Sequence, residues 1–224
     1  MLDLLLPPRC LACRVRAPEP WCPTCRAAVR DLPAGCARCA GPVGAGHGCW
    51  PDGAPVAATV AAHAYAGPVA AAVVAAKVGG AHRGWAPLAV GLHPRLDGVR
   101  VDLVTWVTSL PARVRHRGLD HAAALAAAVA PPLAAPVRRT LRAGPTARHP
   151  EDLVAEVRLT GARVALVDDV LTTGATAWRA AAALRAAGAA HVTLVVLARA
   201  GAHPLGPARP GRPGRAGPVR RRPA

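Results

Sequence analysis

The sequence predicts an α/β protein, a parallel sheet with helices on both faces, preceded by a small cysteine-rich domain. Three observations carry that reading. Between residues 53 and 200, short runs rich in Val and Leu alternate with longer Ala-rich runs, the pattern of strands and helices in a parallel sheet. One of the short runs, Val164 to Val167, leads straight into Asp168-Asp169, a Thr- and Gly-rich turn and a helical segment. All seven cysteines lie within residues 1–52, six of them in Cys-x-x-Cys pairs. The expected organisation is a ribbon domain over 1–52, an α/β domain over 53–200 and a tail over 201–224.

The cysteine pairs are Cys10-x-x-Cys13, Cys22-x-x-Cys25 and Cys36-x-x-Cys39, followed by a lone Cys49 two residues after His47. Met1 to Leu6 carries an early acid and runs into Pro7-Pro8, unlike a signal peptide, so a cytosolic chain with reduced thiols is expected. Pairs at this spacing then point to metal, because each places two thiolates on one side of a turn, half of a tetrahedral zinc site. Cys10, Cys13, Cys22 and Cys25 complete one such site. Cys36, Cys39 and Cys49 supply three ligands of a second, with His47 the nearest fourth. A closed set of four ligands leaves no position for a reacting water, so the zinc is expected to be structural, replacing a core too small to fold alone. Thioredoxin-like redox use fits less well, because the pairs lie in Pro- and Gly-containing loops rather than within a βαβ unit.

The α/β part opens with small apolar residues over Val56 to Tyr65, an expected strand, and turns through Gly67-Pro68 into a helix over 69–78. Lys77, at the end of that helix, either faces an anion or is a solvated cation at a helix C-terminus. Val101 to Val107 reads as a second buried strand with Thr108-Ser109-Leu110 as its turn. Arg113, Arg115 and Arg117 alternate just before Gly118 and an Ala-rich helix over 119–130. Cations at the carboxyl end of a strand neutralise a pyrophosphate well, and a solvated face is the plainer alternative. His191 to Arg199 supplies a last strand, parallel to 163–168. The longest Ala-rich stretch, 122–135, is interrupted by Pro131-Pro132, so no membrane span is expected. With no Phe and one Tyr, five Trp provide most of the bulk in a core otherwise built from small aliphatic side chains.

The stretch 163–176 says most about chemistry. The helix expected over 175–187 is closed by Gly188 at its C′ position, which places its N-terminus at Thr172 to Thr176. Unpaired backbone N–H groups and the positive end of the helix dipole make an anion site there. Gly174 permits a tight turn, and Thr172, Thr173 and Thr176 add hydroxyls without adding charge. Carboxylates do not serve a phosphate, so Asp168 and Asp169 are expected to accept hydrogen bonds from sugar hydroxyls beside it. The implied ligand is a ribose phosphate.

Val167-Asp-Asp-Val-Leu-Thr-Thr-Gly-Ala-Thr176 resembles the 5-phosphoribosyl-1-pyrophosphate (PRPP) motif of type I phosphoribosyltransferases. Together with the N-terminal cysteine pairs, a Lys-containing helix and Arg-x-Arg-Gly-Leu-Asp-His over 115–121, the order is similar to that of the ComF family of competence-associated phosphoribosyltransferase-like proteins, across most of residues 10–199. The resemblance implies a type I phosphoribosyltransferase-like sheet behind a double zinc ribbon, and PRPP bound with Mg²⁺. It puts Val170, Leu171, Thr172, Thr173, Gly174, Ala175 and Thr176, with Lys77, in contact with that ligand. Asp168, Asp169, Arg113 and Arg117 become the residues of the chemical centre. Asp120-His121 departs from the family pattern, where Asn-Gln is common, and Gly46 and Cys49 stand where many relatives carry a fourth Cys-x-x-Cys pair.

Two functions follow from these expectations. One is transfer of phosphoribosyl from PRPP to a nitrogenous base. The other is a PRPP- or nucleotide-sensing module that engages single-stranded DNA or a competence helicase without turnover; a relative that keeps the cup only as architecture is a third. Net charge bears weakly on the choice: of +16, six Arg sit in residues 201–224 without an acid, leaving +10 for the rest. That Pro- and Gly-rich tail is expected to be disordered, and a basic tail attracts polyanions of any kind.

Overall fold

The computed structural model describes residues 8–17, 20–44, 47–78, 84–109, 114–115, 118–143, 153–201 and 205–207. After a short helix α1 (Pro23–Ala28) come β1 (Ala58–Ala64), α2 (Gly67–Val78), α3 (Trp85–Ala89) with a 3-10 turn (Val90–Arg95), and β2 (Leu103–Trp106). They are followed by α4 (His121–Leu133), β3 (Leu141–Ala143), β4 (Leu153–Ala155), β5 (Arg163–Leu171), α5 (Ala175–Ala186) and β6 (His191–Arg199). Four strands form one parallel sheet in the order β1-β6-β5-β2, and β3 pairs with β4 as a separate antiparallel ribbon. The expected parallel sheet with helices on both faces is the observed one.

The two central strands, β5 and β6, are buried along most of their length, which is why they read as continuous apolar runs rather than alternating ones. One face of the sheet, with Ala165, Val167, Val195 and Leu197, packs on residues of α2, α3 and α4. The other, with Val164, Leu166, Leu194 and Val196, packs on α5 and on Cys39 and Trp50 from the cysteine-rich segment. Both sheet edges are covered. Residues 30–32 bond along β1 through Leu32 N–H to the Ala62 carbonyl and Ala64 N–H to the Arg30 carbonyl, while residues 136–138 bond along β2.

Two elements run further than the sequence predicts. The helix expected to stop at 130 continues through Pro131 and Pro132 to Leu133. Proline's fixed φ suits a helix; each ring removes one N–H bond to the preceding turn, and the extension buries Leu133 in return. Ala134 then ends the helix in the left-handed region, at φ 48. Strand β5 does not end at Asp168 but pairs with β6 as far as Leu171 opposite Arg199. Among the described residues, no helix is long and apolar enough to cross a membrane. Residues 202–204 and 208–224 of the tail, with Arg113 and Arg117, lie outside the described residues.

Candidate ligand site and metal centres

The sheet's carboxyl edge carries a cavity of about 330 Å³ lined by Tyr65, Lys77, Thr108, Ser109, His121 and, at its base, Asp168 and Asp169. A smaller cup of about 40 Å³ lies beside it, formed by residues 170–177 with Asp168 and Val196. Asp168, Val170, Thr172 and Thr176 line both, so the two spaces share a wall. Ligands of open α/β sheets sit at this edge. A third cavity, of about 650 Å³, shares no residue with either and lies among Trp21, Arg26, Asp31, His63 and Arg95.

The cup follows from local conformation. Gly174 is the N-cap of α5 at φ 79 and ψ 2, a left-handed position that favours glycine, and the helix start has no side-chain cap. The N-cap residue supplies no side-chain bond to the first turn, and residues 175–177 of that turn line the cup. At the far end, Gly188 has φ 101 and follows the C-cap Ala187, as the sequence predicts.

The acidic pair follows the alternation of the strand. β5 keeps one register with β6, Asp168 opposite Val196 and Val170 opposite Ala198, so the two carboxyls leave on opposite faces: Asp168 lines the cup at the start of α5, and Asp169 meets Lys77 of α2. Both residues also line the larger cavity. Asp169 is buried and its Oδ2 meets Lys77 Nζ at 2.6 Å. Asp168 Oδ1 accepts the Asp169 N–H at 2.9 Å. Burial and the neighbouring Asp169 charge raise the Asp168 carboxyl to a pKa of about 7, with Lys77 opposing. Lys77 lines the cavity as the ion-pair partner of Asp169.

The wall of Thr108, Ser109 and His121 is held by Asp120, which the sequence marked, with His121, only as a departure from the family pattern. Asp120, at the N-cap of α4, makes no capping bond; its Oδ2 accepts Trp106 Nε1–H at 2.9 Å and its Oδ1 accepts Ser109 Oγ–H at 3.5 Å. These bonds tie the 108–109 turn to the start of α4. His121 is buried and stacks on Trp85 at 5.3 Å. An acid before an Ala-rich run signals a cap, and nothing in the sequence says that it turns back to Trp106 instead. Of the arginines, Arg115 is exposed, and Arg113 and Arg117 are not among the described residues.

The metal ligands assemble as predicted. The ligand atoms of Cys10, Cys13, Cys22 and Cys25 lie within 4.8 Å of one another, and so do those of Cys36, Cys39, His47 and Cys49. Cys13 Sγ and Cys22 Sγ are 3.6 Å apart and Cys36 Sγ and Cys49 Sγ 3.8 Å. Zinc–sulfur bonds of ~2.3 Å give a tetrahedron edges of ~3.8 Å. His47 Nδ1–H donates to the Gly44 carbonyl at 3.0 Å, which leaves Nε2, buried and without a hydrogen-bond partner, as the ligand nitrogen. Burial opposes ionisation of Cys10 and Cys36, but backbone N–H groups outweigh it at Cys10, and the neighbouring His47 ring together with backbone N–H groups outweighs it at Cys36, bringing each to a pKa of about 6. Burial and thiol neighbours push Cys25 up to about 12. Metal binding at these sites must therefore release protons.

Residues 1–51 match the double zinc ribbon domain. With that match and the ligand geometry, both cysteine groups of the double zinc ribbon are structural zinc sites. Among solved structures, a purine phosphoribosyltransferase from Pyrococcus horikoshii is similar at 18% identity, over 54% of this chain and 76% of that one, with a TM-score of 0.38. No curated protein matches the chain.

Proposed function

We propose that the carboxyl-edge site binds PRPP with Mg²⁺ and that the chain is a ComF-like phosphoribosyltransferase acting on a nitrogenous base. The observation that carries this is the shared wall: an uncapped helix start with a small cup opens beside a chamber lined by two carboxylates. A ribose 5-phosphate spans such a pair of spaces, its phosphate on the N–H groups of α5 and its hydroxyls on Asp168 and Asp169.

The chain's own groups then divide the work. Lys77 pairs with Asp169 and fixes the position of its carboxyl group. The acceptor nitrogen forms a bond to C1 of the ribose as the C1–O bond breaks, pyrophosphate leaves with the electron pair, and the proton of the acceptor passes to solvent. Positive charge gathers on the ring during that exchange, and the two carboxylates lie where they stabilise it. The wall of Thr108, Ser109 and His121 bounds the space for the leaving group and acceptor. Asp168 would be the residue to hold a Mg²⁺ ion brought with PRPP, and the ion would supply positive charge toward the leaving pyrophosphate. The ComF resemblance adds a link to DNA uptake, and a salt-independent DNA affinity would remove phosphate contacts from it.

Calorimetry with PRPP and Mg²⁺ tests the reading. Wild type binds, and Asp168→Asn with Asp169→Asn abolishes binding; equal affinity in the double variant refutes the assignment. Pyrophosphate release with a panel of bases separates a transferase from a sensor, since only the transferase turns over.

A further inference from the structure

We infer that Trp50 is a positioning residue for the phosphate cup, held in place by the second zinc site; this deepens the PRPP reading and rests on it. Trp50 follows Cys49 directly and is 2% exposed. Its Nε1–H donates to Thr59 Oγ1 on β1 at 3.0 Å. The six-membered ring of the indole lies flush on Gly174, where a Cβ would stand 2.4 Å from Trp50 Cη2 and 2.7 Å from Cζ3. The same indole meets Trp178 in the first turn of α5, ring centres 6.2 Å apart and tilted by 41°. Trp50 is thus wedged between a strand and the residue where the turn becomes helix.

That contact matters because the cup has no side-chain cap of its own. The direction of its N–H groups depends on the left-handed Gly174, and the surface behind Gly174 is the indole. What fixes the indole is the zinc loop. Cys49 is a ligand, and the carbonyl of the preceding Gly48 accepts Arg199 Nη2–H at 3.0 Å from the end of β6. Zinc in the Cys36, Cys39, His47 and Cys49 group therefore clamps the chain one residue from the wedge. The other zinc site touches neither Gly174 nor Trp178. It follows that the two sites differ in their effect on the ligand: the second governs PRPP affinity and the first does not.

The experiment uses the full chain as wild type, Trp50→Leu, Trp50→Phe and Cys13→Ser, with zinc content, amide hydrogen exchange and PRPP–Mg²⁺ calorimetry measured on each. Trp50→Leu is expected to keep both zinc ions, to speed exchange at residues 174–178 about tenfold while β5 and β6 stay protected, and to weaken PRPP by a similar factor. Trp50→Phe recovers part of both. Cys13→Ser loses one zinc and changes neither. Wild-type exchange at 174–178 in Trp50→Leu, or an equal effect of Cys13→Ser, overturns the inference. If wild type fails to bind PRPP, the functional reading falls while the exchange data still decide this one. Should Trp50→Leu unfold, Gly174→Ala decides: its loss of cup protection is expected to be smaller in a Trp50→Phe background than in wild type, and equal losses overturn the coupling.

Discussion

The two halves of the double zinc ribbon share a ligand chemistry and differ in everything around it. The first half makes its own minute core from Cys10, Ala17 and Cys22 and reaches the α/β body through Leu11, which lies against Gly84. The second half has Cys39 fully buried in the main core of the opposite sheet face, the cluster that also holds Trp50, Leu166 and Leu184. Residues 30–32, between them, run along the open edge of β1, so the ribbon straddles that edge. A metal replaces a core in the first half and reinforces one in the second. Equal ligand sets therefore do not mean equal structural roles.

Zinc removal breaks the comparison most strongly. Structural zinc in small modules contributes about 10–16 kcal/mol at neutral pH, and the first half's own core is only Cys10, Ala17 and Cys22. Chelation is expected to expose residues 10–26 to complete hydrogen exchange while β5 and β6 keep their protection. Uniform protection after zinc loss would show that the first half folds without metal. The next effect is on the body. Cys39→Ser is expected to lower the main melting transition by about 5–10 °C, the equivalent of about 2–3 kcal/mol for a chain of this size, whereas Cys10→Ser leaves it in place. Calorimetric scans of the two variants give the answer, and matching shifts would erase the distinction.

The ligand site between these supports answers to pH. Asp168 has its carboxyl raised from 3.8 to about 7, so the folded state holds this proton more tightly than the unfolded chain does. Its contribution to stability is greatest at low pH and declines as pH rises from about 4 to about 7. Asp168→Asn removes that decline, so its stability relative to wild type is expected to be higher at pH 8 than at pH 5, as denaturant unfolding at the two values will show. Binding has the opposite sign. A ligand that needs the ionised carboxylate binds wild type more tightly as pH rises through 7, and Asp168→Asn flattens that slope.

The smallest effect lies on the surface of the second half. Arg38 and Asp52 form an ion pair at 3.2 Å with the aspartate fully exposed. Such pairs contribute about 0–1 kcal/mol, so Asp52→Asn is expected to move the melting temperature by no more than about 2 °C. A larger shift would mean that this pair, rather than Arg199 and Thr59, anchors the loop that carries Trp50.

Much of this molecule was legible because local chemistry decided it. Three closely spaced cysteine pairs can hardly serve anything but metal, and His47 was found by position alone. Apolar runs as dense as those of β5 and β6 cannot be left at a surface, and Gly174 and Gly188 mark the ends of α5 because few other residues adopt their backbone angles. Other features had no local signal. Asp168 and Asp169 line one cavity because residues of α2 and α5, from the two faces of the sheet, close around the end of β5, and Lys77 meets Asp169 only because α2 crosses that end of the sheet. Asp120 reads as a cap and bonds Trp106 instead.

The sequence by itself determined the zinc ligands, the parallel sheet and the position of the cup along the chain, since each depends on residues close together or on periodicity. Only the tertiary structure decided which zinc site stands behind the cup. That choice depends on Trp50 meeting Gly174 across more than a hundred residues of chain. Such a contact comes from how the sheet, its edge and the ribbon stack in space, which no run of neighbouring residues encodes.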